Sequence, residues 1–393
     1  MKNKEKKISV GIITISRTSN YGAELQAYAL QKKLNELGFD AELIDYLYFK
    51  HSKHKPTKLS KPDVTFSKKQ NLKDFITYRF ISPLIDNIGA ILHSPIKLRL
   101  KNFKKFHKKG GTRYSKQYKS YSELKQANLD YDVYIVGSDQ VWNPGTATSL
   151  APYFLDFAPK NKLRMTYASS FGVSEIPKQY HSLYKTYFDN LQYIGVRENQ
   201  GVKLVKEISG KKATQVLDPT LLLSKNDWEN ITSFSTNIPK EQYILIYKLH
   251  ESNTLIKHAL LLKKKLNYKI YNICKRAFSN TSIDGVVNLL DAGPAEFVAL
   301  FKNAEFVFTT SFHGTAFSVN FNIPFYAVLK PNKANNSRIT DFLGNLNLSD
   351  RIIWEGEDNN LNDRNVDFEF ANSKLKNDKI SSIQYLENTI TLR

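Results

Sequence analysis

The stretch "ISVGIITISRTSNYGAELQAYALQKKLNELGFDAELIDY", Ile8 to Tyr46, decides the class of fold. Its first eight residues are almost unbroken in apolar character, the pattern of a strand covered on both faces rather than on one. Ala23, Leu25, Ala27, Leu30 and Leu34 follow at mostly helical spacing, with Asn20 placed to cap that helix and Gly38 to stop it. Asp40 to Tyr46 then reads as a second strand. Strand, helix and strand in so short a span make a βαβ unit, which implies a parallel sheet with a right-handed crossover.

The same rhythm continues. "DVYIVGSDQVWNP" (132–144), "TYASSFG" (166–172) and "VREN" (196–199) each carry a strand into a polar turn, a helix is expected near Pro177 to Leu191, and "VLDPTLLL" (216–223) ends a strand at Asp218-Pro219. Ser233 to Lys240 is small, polar and proline-terminated, and reads as a linker. A second α/β series follows through "QYILIYKL" (242–249), "YKIYNIC" (268–274), "GVVNLLDAG" (285–293), "AEFVFTTSFHG" (304–314) and "PFYAVL" (324–329). One more amphipathic helix is expected in "NDKISSIQYLENTITLR" (377–393). At about 150 residues per domain, 393 residues suit two domains, and the pattern places them at 1–235 and 236–393.

Composition narrows the setting. With 41% apolar and 12% aromatic residues the chain has ample material for packed cores. The single cysteine, Cys274, excludes an intrachain disulfide and a cysteine-based zinc site. No apolar run is long enough for a signal peptide or a membrane span, so a cytoplasmic protein is expected. Charge is uneven. Between Lys50 and Lys119 nineteen lysines and arginines stand against three aspartates and no glutamate, so +16 of the net +20 lies in this segment. Residues 50–120 read as a basic insertion in the first domain, with two helices expected in Phe75–Lys109 that are apolar on one side and lysine-rich toward the end.

In parallel α/β sheets ligands sit outside the carboxyl ends of the strands, so the polar turns are the candidate site. Asn20, Tyr21 and Gly22 open the first helix and put backbone N–H groups where an anion or a sugar hydroxyl could meet them, although Asn20 also suits an ordinary cap. Ser138, Asp139 and Gln140 crowd hydrogen-bonding groups into one turn beside Trp142, which offers either a flat face to a sugar or a core side chain. Arg197 ends a strand, where an arginine can grip carboxylate or phosphate with paired donors; Ser169, Ser170 and Gly172 end the strand before it. His313 follows the strand Phe306 to Phe308, and Ser311, Gly314 and Thr315 surround it at the start of a helix whose dipole favours an anion. Lys330, Lys333 and Arg338 lie on the loop after the next strand. The G-x-G-x-x-G, H-E-x-x-H, G-x-S-x-G and Walker patterns do not occur, and no metal is expected.

Taken together, "NYGAELQAYALQKKL", "DVYIVGSDQVWNP", "YFLDF", "TYASSFG", "VREN", "VLDPTLLL", "TTSFHGTAFS" and "IPF" resemble the polysaccharide pyruvyl transferase family, over nearly all the chain except the basic segment and the last fifty or so residues. The resemblance implies two Rossmann-like domains facing a central cleft, as in glycosyltransferases of the B type. It also implies transfer of pyruvate from phosphoenolpyruvate, a substrate rather than a cofactor, to a sugar, forming a ketal and releasing phosphate. His313 matches the family's donor-site histidine, Arg197 the arginine of its V-R-E motif, and Arg338 an arginine after the last motifs. On that basis His313 and Asp139 are the expected catalytic residues. Arg197, Ser311, Gly314, Thr315 and Arg338 are expected to bind the donor, and Asn20, Tyr21, Gly22, Ser138, Gln140 and Trp142 the acceptor. Acceptors of this kind are often carried on polyprenyl diphosphate, and the basic segment is expected to hold the protein to the anionic inner face of the membrane.

Three other readings compete. A nucleotide-sugar-dependent glycosyltransferase would share the architecture. A nucleic-acid-binding protein would use the basic segment, with Tyr78, Phe80, Phe103 and Phe106 stacking on bases, but would leave the polar turns without a role. A catalytically silent relative is the third.

Overall fold

The computed structural model of the chain describes residues 7–64, 76–77, 94–145, 148–274, 283–333, 335–357 and 365–392. It divides into two compact units, one of Met1–Ile85, Gly111–Leu222 and Asp378–Arg393, the other of Asp86–Gly110 and Leu223–Asn377. Both are α/β with parallel sheets.

The first unit begins with strand β1 (Ser9–Ile13), helix α1 (Tyr21–Glu36) and strand β2 (Asp40–Leu43), the βαβ unit the sequence predicts. Helix α3 (Tyr121–Lys125) precedes strand β3 (Val133–Val136), and strand β4 (Leu163–Thr166) leads to helix α4 (His181–Asp189). Strand β5 (Gly195–Val196), helix α5 (Asn199–Ser209) and strand β6 (Thr214–Gln215) follow. The sheet order is β2-β1-β3-β4, every pairing parallel, and isolated bridges Met165–Tyr193 and Ser169–Val196 carry it on to the β5-β6 pair. Side chains along β1 enter two different cores: Val10 and Ile12 one face, Ile13 and Ile15 the other. That two-sided burial is why the run from Ile8 shows no polar alternation.

The second unit holds helix α6 (Lys225–Thr232), strand β7 (Tyr243–Tyr247), helix α7 (Asn253–Leu266), strand β8 (Lys269–Ile273) and strand β9 (Val286–Leu289). Helix α8 (Pro294–Lys302), strand β10 (Phe306–Thr309), helix α9 (Phe312–Phe321) and strand β11 (Phe325–Leu329) continue it. Helix α10 (Ser337–Asn345) and strand β12 (Ile352–Trp354) complete the alternation. The sheet is six-stranded, parallel, in the order β12-β11-β10-β7-β8-β9. The order turns at the β10/β7 border, the place where a parallel sheet opens to a ligand.

Three features differ from the sequence expectation. The division falls at Leu222/Leu223 instead of 235/236, because Trp228 of α6 is fully buried against Phe317 of α9, 5.1 Å between rings. The basic segment does not stay in the first unit. Its first expected helix falls largely outside the described residues, while the second is helix α2 (Ser94–Lys109), part of the second unit. Phe103 and Phe106 are buried, Asn102 Nδ2 donates to Asp291 O at 3.0 Å, and Lys105 Nζ donates to Phe234 O at 2.5 Å. An amphipathic helix buries its apolar stripe where a complementary face exists, and here that face surrounds the start of α8. The last helix, α11 (Glu369–Thr391), is longer than the sequence suggests. Its C-terminal part belongs to the first unit, where Leu386 and Ile390 are fully buried and Tyr385 Oη donates to Thr166 O at 3.0 Å.

Candidate functional site

Each unit gathers polar side chains at the carboxyl ends of its strands. In the first unit they form one buried chain of hydrogen bonds. Gln26 Nε2 of α1 donates to Thr14 Oγ1 (3.0 Å), and that hydroxyl donates to Ser138 O (2.7 Å). Ser138 Oγ donates to Asp218 Oδ2 (3.0 Å), which also accepts from Arg197 Nη1 (2.9 Å). Arg197 Nε donates to Glu198 Oε1 (2.8 Å), and the other Asp218 oxygen accepts from Thr220 N (3.0 Å) and Thr220 Oγ1 (2.7 Å). Burial opposes the Arg197 charge, but the Glu198, Asp218 and Asp139 carboxylates outweigh it and raise the guanidinium pKa.

This cluster corrects three expectations. The Arg197 side chain is only 2% exposed, with Nε held by Glu198 and Nη1 by Asp218, so these two donors order the turn instead of facing a ligand. Trp142 is fully buried, stacked on Phe154 at 5.1 Å and 8°, with its indole N–H donating to Tyr153 O at 2.8 Å; it is core and offers no face to a sugar. Tyr21 is likewise fully buried. Asn20 acts as the helix cap, its Oδ1 accepting from Gly22 N at 3.1 Å, and Gly22 is buried at the same turn. Sequence reading took Asp218 only as the end of a strand, and missed Thr14, Gln26 and Glu198 as partners. The signal that could have found Asp218 was an acid next to proline at a strand's carboxyl end, opposite an arginine in the same position.

Asp139 is different. It is half-exposed, its backbone is left-handed (φ 75), and it bridges to Ser169. Ser170 N donates to Asp139 O at 3.0 Å, and its own carboxylate accepts from Gln140 N at 2.8 Å. A non-glycine residue in that conformation costs free energy and persists where its surroundings hold it. Gln140 lies against Gly172, which has φ 65; a Cβ there would meet Gln140 Oε1 at 2.3 Å.

In the second unit the sequence-predicted turn is tighter than expected: α9 begins at Phe312, so His313 is in its first turn. Ser311 is the cap, its Oγ accepting from Gly314 N at 3.4 Å. Thr315 is fully buried and its hydroxyl donates to Ser311 O at 3.1 Å. Thr309 Oγ1 donates to Tyr247 O at 2.7 Å and accepts from Ser311 N at 3.1 Å, which locks the turn to β7. His313 is largely buried, its ring edge-on to Phe312 at 5.4 Å. Phe312 in turn touches Phe342 of α10 at 5.6 Å, and Arg338 lies one turn before Phe342 on the same helix. The helix end supplies backbone N–H groups and a positive dipole, so an anion is favoured there. Among the described residues there is no group of three His, Cys, Asp or Glu side chains arranged to hold a metal.

A family model of polysaccharide pyruvyl transferase matches residues 20–329. The chain belongs to the polysaccharide pyruvyl transferase family. It is accordingly a transferase, with a sugar or polysaccharide as the acceptor class. The match begins at the Asn20 cap and runs through every strand-end turn described above to the end of β11. No curated protein matches the chain by sequence. Among solved structures, the UDP-GlcNAc 2-epimerase of Methanocaldococcus jannaschii aligns at 13% identity over 96% of this chain and 92% of its own, with a TM-score of 0.47. The glycosyltransferase SnogD of Streptomyces nogalater aligns at 9% identity over 98% and 94%, TM-score 0.41. The α,α-trehalose 6-phosphate synthase of Burkholderia multivorans aligns at 9% over 98% and 98%, TM-score 0.44.

Proposed function

We propose that the protein transfers pyruvate from phosphoenolpyruvate to two hydroxyls of one sugar on a lipid-linked polysaccharide precursor, giving a ketal and free phosphate. The observation that carries this reading is His313 in the first turn of α9, at the carboxyl end of β10, where the helix end favours an anion. In the reaction the donor methylene carbon takes a proton and becomes methyl. The adjoining carbon gains two C–O bonds to the sugar and loses its bond to phosphate. One hydroxyl proton is balanced by the new methyl group and the other leaves on phosphate, so no redox cofactor is needed. His313 is assigned the proton donated to carbon or to the departing phosphate, and the α9 N–H groups with Arg338 the negative charge that develops. Asp139, half-exposed and held in position, is assigned to an acceptor hydroxyl.

The test is acceptor-dependent phosphate release from phosphoenolpyruvate. His313→Ala should abolish release while thermal unfolding stays as in wild type; near-normal turnover would overturn the assignment. Wild-type protein stabilised by a nucleotide sugar and not by phosphoenolpyruvate would favour a glycosyltransferase instead.

We further assign the protein to the anionic membrane surface through α2. Lys97, Lys101, Lys104 and Lys108 recur at helical spacing on its exposed side, and the helix contains no acid. Among the described residues no helix is long and apolar enough to cross a membrane. The nucleic-acid alternative loses its stacking groups in this helix, since Phe103 and Phe106 are buried; Tyr78 and Phe80 lie outside the described residues.

A further inference from the structure

Sequence reading passed over His250. In the sheet of the second unit, Tyr247, Thr309 and Ala327 stand level across three adjacent strands, β7, β10 and β11. His250 comes three residues after that row, His313 four and Lys330 three. The three side chains therefore leave the sheet at one edge, with the α9 end in the middle. The loop after β7 is tied to the turn after β10, because Leu249 N donates to Thr310 Oγ1 at 2.9 Å. The loop after β11 is closed by Asn336 Nδ2 donating to Lys330 O at 2.8 Å.

Charge at this edge is not balanced. Lys248 pairs with Glu251, which uses the first acid. The second, Glu355, accepts from Ser252 Oγ (2.5 Å), Asn253 N (3.0 Å) and Thr254 N (3.2 Å), and is taken up by the start of α7. Lys330 and Lys333 make no ion pair among the described residues, and Lys330 is half-buried. The half-buried His250 has Nδ1 3.3 Å from Glu251 O, a bond that, donated by Nδ1, leaves Nε2 for a ligand. Its pKa is lowered, first by burial and then by Lys330 and Lys333, against the raising effect of the Glu251 carbonyl and the Glu355 carboxylate. A phosphate dianion would answer all of these at once: it would meet the α9 N–H groups, neutralise the lysines and favour protonated His250.

We propose that His250 and Lys330, on the loops flanking the α9 turn, hold the phosphate group of the donor. The proposal deepens the pyruvyl transfer reading and rests on it for the identity of the donor. It makes the phosphate end of the site a feature of three loops rather than of the His313 turn alone. His313 then keeps the proton-transfer role alone.

The experiment uses the full chain and inorganic phosphate as probe, in parallel with phosphoenolpyruvate. Wild type should be stabilised thermally by inorganic phosphate, and phosphate should inhibit turnover competitively with the donor. His250→Asn and Lys330→Met should each raise both the phosphate inhibition constant and the donor KM about tenfold, with a smaller change in kcat. His313→Ala, in contrast, should lose kcat. Far-UV circular dichroism identifies a variant that has failed to fold, and the other variant then decides. Phosphate and donor constants unchanged in the folded variants would overturn the proposal, as would a wild-type protein that binds neither compound. Wild type that binds phosphate in a His250-dependent way but does not turn over phosphoenolpyruvate would uphold the site and refute the proposed reaction.

Discussion

Arg197 Nη1 meets Asp218 Oδ2 at 2.9 Å with the two side chains 2% and 0% exposed. An arginine held this way fixes the turns around it. It joins two strand-end turns, one before α5 and one after β6, and through Ser138 Oγ a third. Removing one partner of a buried pair strands the other charge, which costs about 3 kcal/mol or more. Asp218→Ala should therefore lower the stability of the first unit by that order, read from urea unfolding. Arg197→Lys should recover little, because an ammonium cannot reach Glu198 and Asp218 in the geometry of a fork. A variant unfolding at the wild-type urea concentration would show that the pair is dispensable.

Gly314 makes a second prediction at the His313 turn. A Cβ at this position would lie 2.2 Å from Thr309 Oγ1 and 3.0 Å from Thr309 Cβ. Thr309 cannot turn aside without breaking its bonds to Tyr247 O and Ser311 N. Gly314→Ala should thus displace the start of α9, at a cost of about 1–3 kcal/mol in the second unit, and should depress phosphate release. Activity and unfolding temperature both at the wild-type level would contradict this crowding.

These two cases mark what the sequence could and could not disclose. Nearly continuous apolar runs such as Ile8–Ile15 and Phe306–Phe308 disclose strands covered on both faces, and turn residues after them disclose where the polar groups collect. Burial depth is another matter. Trp142 beside Ser138 and Gln140 has the local sequence of a sugar platform, but its exposure is set by Phe154, Phe171 and Phe188, which arrive from elsewhere in the chain. The burial of Arg197 is likewise set from a distance, since Asp218, 21 residues on, accepts from its Nη1. The helix α2 is amphipathic, but an apolar stripe does not announce which unit it will cover. His250 had no motif at all; only the register of β7 with β10 and β11 sets it beside His313 and Lys330.

Cys274 supplies a dependence on pH. Burial pushes its thiol up from 9.0 to about 11, with Lys248 and Arg99 pulling the other way and Glu251 adding to the rise. The unfolded chain ionises first, so the contribution is complete below about pH 9 and is lost as pH climbs toward 11. Wild-type stability should fall more steeply across that interval than that of Cys274→Ala, as read from urea midpoints at matched pH. Native protein at pH 8 should also react slowly with iodoacetamide and rapidly once unfolded. Equal slopes for the two proteins would remove the thiol from the account.

The exposed lysines of α2 give the last prediction. Lys97, Lys101, Lys104 and Lys108 face away from the side that buries Asn102, Phe103 and Phe106. The apolar side of the helix is therefore already committed, and on the lysine face Leu100, 38% exposed, is too little apolar surface to hold the protein in a bilayer by itself. Attachment through this face is then chiefly electrostatic, worth about 1 kcal/mol per lysine near an anionic surface and screened beyond roughly 10 Å at 0.1 M salt. The protein should float with vesicles containing phosphatidylserine, not with phosphatidylcholine alone, and should be released by about 0.5 M salt. Changing all four lysines to glutamine should weaken binding by up to about a thousandfold at low salt while turnover of a water-soluble glycoside acceptor is retained, since none of the four belongs to the strand-end turns. Salt-resistant flotation would mean that another segment inserts, and flotation unaffected by the four substitutions would move the membrane contact away from α2.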